Sequence, residues 1–134
     1  MRNTGYGSIR VSDVPAGATV AKAYLFWAVV GRSSAPGFYY YKGKINGYAI
    51  SGTLLGSTGE PGWDFLSRTY GYRADVTARM YKGGNGRYDL SNFASFYTDG
   101  RDPFSSGSAV PMVEGATLVI VYRQLTGPNT LVKI

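Results

Sequence analysis

The chain contains no cysteine and no histidine. Without cysteine there is no disulfide framework and no thiolate metal site. Without either residue, a Ser-His-Asp triad, a Cys-His dyad and nearly every zinc site are excluded. Charge is also sparse, at 16% of residues, well under the usual quarter. No apolar run is long enough to cross a bilayer, the longest being "VAKAYLFWAVV", which Lys22 interrupts, so no membrane span is expected. The opening "MRNTGYGSIR" has no charged-then-apolar signal pattern, and no Asn-x-Ser/Thr sequon occurs.

Lysine and arginine exceed the acids by 14 to 8, giving a net charge of +6. The cations are scattered from Arg2 to Lys133. Their closest groupings, Lys42 with Lys44 and Arg79, Lys82 with Arg87, fall short of the dense basic run that marks a nucleic-acid patch. Nucleic acid is therefore the weakest of the partner classes considered. The ribonucleoprotein pattern is also unmatched, although "FYYYKGK" combines aromatics and cations in a way that stacks bases.

What is abundant is glycine, 19 residues, and tyrosine, 12. Glycine is costly inside helices and tyrosine suits pleated surfaces, so many short strands joined by tight turns are expected. A length of 134 residues supports one core and a single domain over 1–134. "GSIRVSDV" alternates Ile9 and Val11 with Arg10 and Ser12, and "PAGA" then turns the chain. "TVAKAYLFWAVV" is apolar on both faces and reads as a central strand with Trp27 as a core anchor.

In "GFYYYKGKINGYAISG", Asn46-Gly47 provides the two positive-φ positions of a type I′ turn, which predicts a hairpin of 38–45 with 48–55. Period-two alternation then puts Tyr40, Lys42 and Lys44 on a wet face and packs Tyr39 and Tyr41 inward. "GSTGEPGWDFLS" reads as a loop holding Trp63 between Glu60 and Asp64. Asp75 is placed as the N-cap of a short helical turn near 75–81, which "KGGNG" stops. "RYDLSNF" resumes as a strand. A long polar loop covers 94–115, "ATLVIVYR" is an almost continuous apolar strand expected to be central, and "TLVKI" begins another strand at the chain end. The fold class is thus all-β: an antiparallel β-sandwich with one helical turn, incomplete at its C-terminal strand.

Chemistry is thin. Glycoside hydrolysis needs two carboxylates at a suitable separation, and Glu60 with Asp64 beside Trp63 is the pair to consider. Nothing fixes their distance, and the expectation is a protein that is not an enzyme. "YTDGRDPF" puts Asp99 and Asp102 on a loop with oxygens for calcium, but it lacks the Asp-x-Asp-x-Asp-Gly spacing. An Asp-Gly turn is the stronger reading, and no metal or cofactor is expected. A sugar-binding surface would draw on Trp63, Tyr40 and Tyr97 as platforms and on Glu60, Asp64, Asp99 and Asp102 as hydroxyl acceptors, whereas Lys42 and Lys44 on the exposed hairpin face are the cations a nucleic acid would use.

The order of "VPAGATVAKAYLFWAVV", "INGYAI", "YRADVTARM", "GNGRYDL" and "EGATLVIVY" resembles an uncharacterised jelly-roll-like β-sandwich domain recurrent in large secreted and cell-surface proteins of bacteria and archaea. The similarity runs from about Ile9 to Tyr122. It implies an extracellular or cell-surface structural, adhesive or assembly module, with no catalytic residues. Self-association or another surface protein chain is the expected partner, and a polysaccharide the second. The family's domain continues past the "LVIVY" strand, whereas this chain ends at Ile134. The expectation is a fragment, or a sandwich completed by a strand from another chain.

Overall fold

The computed structural model describes residues 1–32, 39–59, 67–102 and 109–124. Eight strands follow in order: β1 Gly7–Val11, β2 Thr19–Arg32, β3 Lys42–Ile45, β4 Tyr48–Ser51, β5 Thr53–Gly59, β6 Ser67–Asp75, β7 Gly86–Ser91 and β8 Met112–Arg123. A 3-10 turn, Thr77–Arg79, lies between β6 and β7. The strands form two four-stranded antiparallel sheets, β1-β7-β3-β4 and β5-β6-β2-β8. Both contribute to one core. Ile45, Ile50, Tyr88 and Leu90 come from the first sheet, and Leu25, Trp27, Val29, Tyr70 and Tyr72 from the second. The fold is an all-β sandwich.

The longest strand, β2, runs between β6 and β8, which explains why both its faces are apolar: Ala23, Leu25, Trp27 and Val29 face the core, while Tyr24, Phe26 and Ala28 are half-buried outside it. Trp27 stacks on Tyr72 at 5.7 Å, meets Phe93 edge-on at 5.4 Å and donates from Nε1 to the Tyr40 carbonyl at 2.8 Å.

The Asn46-Gly47 turn is present, with φ of 49° and 79°. Asn46 also docks the hairpin on β7. Its backbone N–H donates to the Asp89 carbonyl (2.7 Å), and its Oδ1 accepts from the Asp89 N–H (2.9 Å). Two boundaries differ from the sequence reading. The segment 48–55 is not one strand, because the chain leaves β4 at Ser51, passes through Gly52 alone and enters β5 in the other sheet. The last described strand also begins earlier, at Met112 rather than at residue 116. The "TLVKI" segment lies outside the described residues.

A register shift between Val20 and Lys22 interrupts β2's pairing with β8. Just beyond it, the Ala23 N–H donates to the Thr77 hydroxyl (3.0 Å), and the Ala23 carbonyl accepts from the Val76 N–H (2.9 Å). Asp75 holds this turn together. Its carboxylate accepts from the Thr77 hydroxyl and backbone N–H (2.5 and 3.0 Å) and from Lys22 Nζ (2.9 Å). The Thr77 hydroxyl first, then Lys22 and the Thr77 N–H, hold the carboxyl well below its ordinary value.

The cap position of the turn is Val76, one residue later than expected, and has no side-chain cap. Asp75 therefore acts through its hydrogen bonds to Thr77 and Lys22, and replacing it with alanine is expected to lower stability by about 1 kcal/mol at neutral pH. Because the carboxyl titrates lower in the folded chain than in the unfolded one, its contribution is present above the unfolded value and lost as pH falls below it. Urea unfolding of wild type and Asp75→Ala should therefore diverge at pH 7 and converge as pH falls below about 4. A gap that stayed constant with pH would remove the carboxylate from the account.

Candidate functional site

The surface residues expected from the sequence separate into distinct places. Glu60, Trp63 and Asp64 lie outside the described residues. Tyr40 is not on a wet face: it is 8% exposed, tilts against Tyr70 at 5.6 Å, and burial, with Tyr70 nearby, raises its phenol pKa. Gly31 makes room for it, since a Cβ there would sit 2.4 Å from the ring. Its neighbour Tyr39, expected to pack inward, is 66% exposed. The physical reason is that β3 starts only at Lys42. Residues 39–41 form a turn, closed by the Lys42 N–H to the Tyr39 carbonyl (3.1 Å), so period-two alternation does not extend back into the tyrosines.

From Lys42 onward the alternation holds. Gly43 and Ile45 are buried, Lys42 is exposed and Lys44 half-buried. The Lys42 ammonium lies 5.3 and 5.5 Å from the ring centroids of Tyr39 and Tyr41.

Tyr97 and Asp99 come together around a residue that sequence reasoning passed over, Arg101. Its guanidinium lies 4.1 Å from the centre of the Tyr97 ring and donates to both oxygens of Asp99, from Nε to Oδ1 at 3.0 Å and from Nη2 to Oδ2 at 2.5 Å. The Asp99 carboxyl is held down at about 2, chiefly by the side-chain hydrogen bond from Arg101. Its carboxylate is thereby engaged with a cation of its own loop, and Asp102 beside it is exposed. Among the described residues no group of three or more acidic side chains is placed to hold a metal ion. The loop is tied to the chain start instead, through Gly100 N–H to the Asn3 carbonyl (2.7 Å) and Asn3 Nδ2 to the Arg101 carbonyl (2.9 Å). The near-neighbour spacing of Asp99 and Arg101 was the available signal.

The most distinctive feature is at the side of the sandwich where both sheets end. Strands β4 and β5 close one side through Gly52, whereas β1 and β8 lie at the other. Between them runs a slot of about 210 Å³, lined by the apolar residues Ile9, Val11 and Val14 from one side and Leu118, Ile120 and Tyr122 from the other, with Arg10, Ser12 and Asp13 also on its wall.

The sequence reading placed β8 centrally. Among the described residues β2 is its one strand partner; beyond that, Met112 is bridged to Ser95 and the Glu114 carboxylate accepts from Arg2 Nε at 2.6 Å. The apolar run misled because β8 covers two surfaces. Leu118 and Ile120 oppose Leu25 and Ala23 on the core side, and Val119 opposes half-buried Tyr24 on the outer side. An edge and a centre strand look alike when both faces are covered.

Edge strands in natural proteins are usually blunted by charge, proline or brevity. From Gly115 to Tyr122, "GATLVIVY", β8 has none of these. Among the described residues the site thus combines an unpaired strand edge with adjacent volume that is largely apolar, which suits addition of an extended chain.

The architecture defines the chain as an antiparallel β-sandwich of two four-stranded sheets. Comparison with protein-family models, curated proteins and solved structures finds no significant match to the chain. Among the described residues, no helix is long and apolar enough to cross a membrane.

Proposed function

We propose that this protein is a non-enzymatic structural or adhesive module of an extracellular or cell-surface assembly, which self-associates by accepting an apolar strand from a second copy along β8. The observation that carries the reading is the uncharged stretch Gly115–Tyr122 of β8, which among the described residues pairs with β2 alone, beside the 210 Å³ slot between β1 and β8. An added strand would satisfy backbone groups along the edge, and its inward side chains would fill the slot. The order of sequence motifs supports the surface setting.

Light scattering after size exclusion, over a range of concentrations and with electron microscopy of the same samples, tests the reading. The expected result is concentration-dependent growth into oligomers or filaments. Val119→Lys puts a charge on the outer face of the edge strand, opposite Tyr24 rather than in the core, and should return the protein to monomer with its β circular dichroism intact. A wild-type monomer at every concentration would overturn the proposal.

A further inference from the structure

The outer face of the β1-β7-β3-β4 sheet carries every charged residue of those four strands: Arg10, Lys42, Lys44, Arg87 and Asp89. The register fixes their layout. Arg10 stands directly opposite Arg87, and Lys44 opposite Ser91, with Lys42 two positions further along β3. Because β3 runs antiparallel to β7, the cations follow a diagonal from β1 across β7 to β3. At roughly 3.4 Å per residue, the track is about 20 Å long.

Four cations share this face with one carboxylate, and that carboxylate is taken: Asp89 accepts from Arg87 Nε at 2.8 Å. Neither Arg10 nor Lys44 has a carboxylate partner among the described residues. Like charges directly opposite on neighbouring strands are unfavourable. The Arg10–Arg87 pair nonetheless flanks an open depression of about 510 Å³, whose other walls include Ser12, Asn85 and Gly86. Asn85 is fixed there by two hydrogen bonds with the backbone of Val14 (3.0 and 2.7 Å). An anion between the two guanidinium groups would turn their repulsion into charge-assisted hydrogen bonding.

We infer that this face binds a linear anionic polysaccharide bearing carboxylate or sulfate groups, with Arg10 and Arg87 gripping one anionic group and Lys44 and Lys42 others further along the chain. The filling between the cations favours a glycan. Ser8, Ser51 and Ser91 occupy the same face and offer hydroxyls to sugar hydroxyls. Single-stranded nucleic acid calls for aromatic platforms spaced along the cationic track. Here exposed Tyr39 stands at the Lys42 end and exposed Tyr6 just ahead of β1, and β1, β3 and β7 place no aromatic residue on the charged face. The depression shares Arg10, Val11 and Ser12 with the rim of the slot between β1 and β8, but Arg87, Lys44 and Lys42 lie away from that slot and glycan binding along them does not depend on strand exchange.

The test is mobility of the full chain in native gels at low ionic strength, containing polygalacturonate, neutral dextran or neither, with oligo(dT) competing in solution. Polygalacturonate should retard the wild type and dextran should not. Arg10→Ser/Arg87→Ser should weaken retardation at least tenfold, and Lys42→Ser/Lys44→Ser should weaken it less. Lys82→Ser/Arg123→Ser, which removes the same charge elsewhere, should leave it nearly unchanged. Equal loss in all three double variants would reduce the effect to net charge and overturn the site. Tighter binding of oligo(dT) than of a uronate oligomer of equal charge would overturn the ligand class.

Discussion

Replacing Trp27 with alanine is expected to cost about 4 kcal/mol, the scale of large-to-small changes at buried aromatics. Three losses combine. The ring leaves a cavity at the centre of the core, where it is 3% exposed. Its stacked and edge-on contacts with Tyr72 and Phe93 disappear. The Tyr40 carbonyl also loses its Nε1 donor, and an unsatisfied buried acceptor carries its own penalty of about 1–3 kcal/mol. Against a typical domain stability of about 5–15 kcal/mol, the variant should be partly unfolded at physiological temperature. Trp27→Phe keeps an aromatic ring and should lose roughly half as much. Urea denaturation followed by circular dichroism measures both, and a loss under about 1 kcal/mol for the alanine variant would mean that the core does not centre on this residue.

Gly52→Ala is also expected to destabilise the fold, although it adds a single methyl group. A Cβ at this position would lie 2.4 Å from Trp27 Cη2, 2.8 Å from Cζ2 and 3.1 Å from Tyr72 Cβ. The backbone cannot withdraw easily, because the Gly52 N–H donates to the Tyr41 carbonyl at 2.7 Å. Overpacking of this kind costs typically about 1–3 kcal/mol. The indole's outer ring is the obstacle, so the mechanism makes a specific demand: Trp27→Phe, which deletes that ring, should absorb most of the cost of Gly52→Ala. In a double-mutant cycle the two changes should couple by more than about 1 kcal/mol. Additive losses would show that the glycine is needed for some reason other than room for tryptophan.

These residues also show why some of the molecule was legible in the sequence and some was not. Asn46-Gly47 was readable because a type I′ turn is decided by two adjacent residues able to adopt positive φ. Trp27 was readable as core because β2 keeps its alternation for most of its length. Tyr40 was not, because alternation is a property of strands and three tyrosines in a row do not announce where the strand begins. The edge position of β8 was hidden because apolar content reports face burial and says nothing about lateral pairing. The Arg10–Arg87 pair was hidden for another reason: β1 and β7 meet across most of the chain, and no local spacing encodes such a register. Arg101, by contrast, was within reach, two residues from an aspartate that had already been singled out.

The single-residue passage between β4 and β5 has a mechanical meaning. Two packed layers stand roughly 10 Å apart, and a chain that crosses from one to the other through Gly52 binds them along that border as the spine binds a book. Between β1 and β8 no such one-residue step joins the layers among the described residues. There they are tied by side chains, the Arg2–Glu114 ion pair included, so that border is held by contacts that solvent and salt can weaken while the spine is held by covalent bonds.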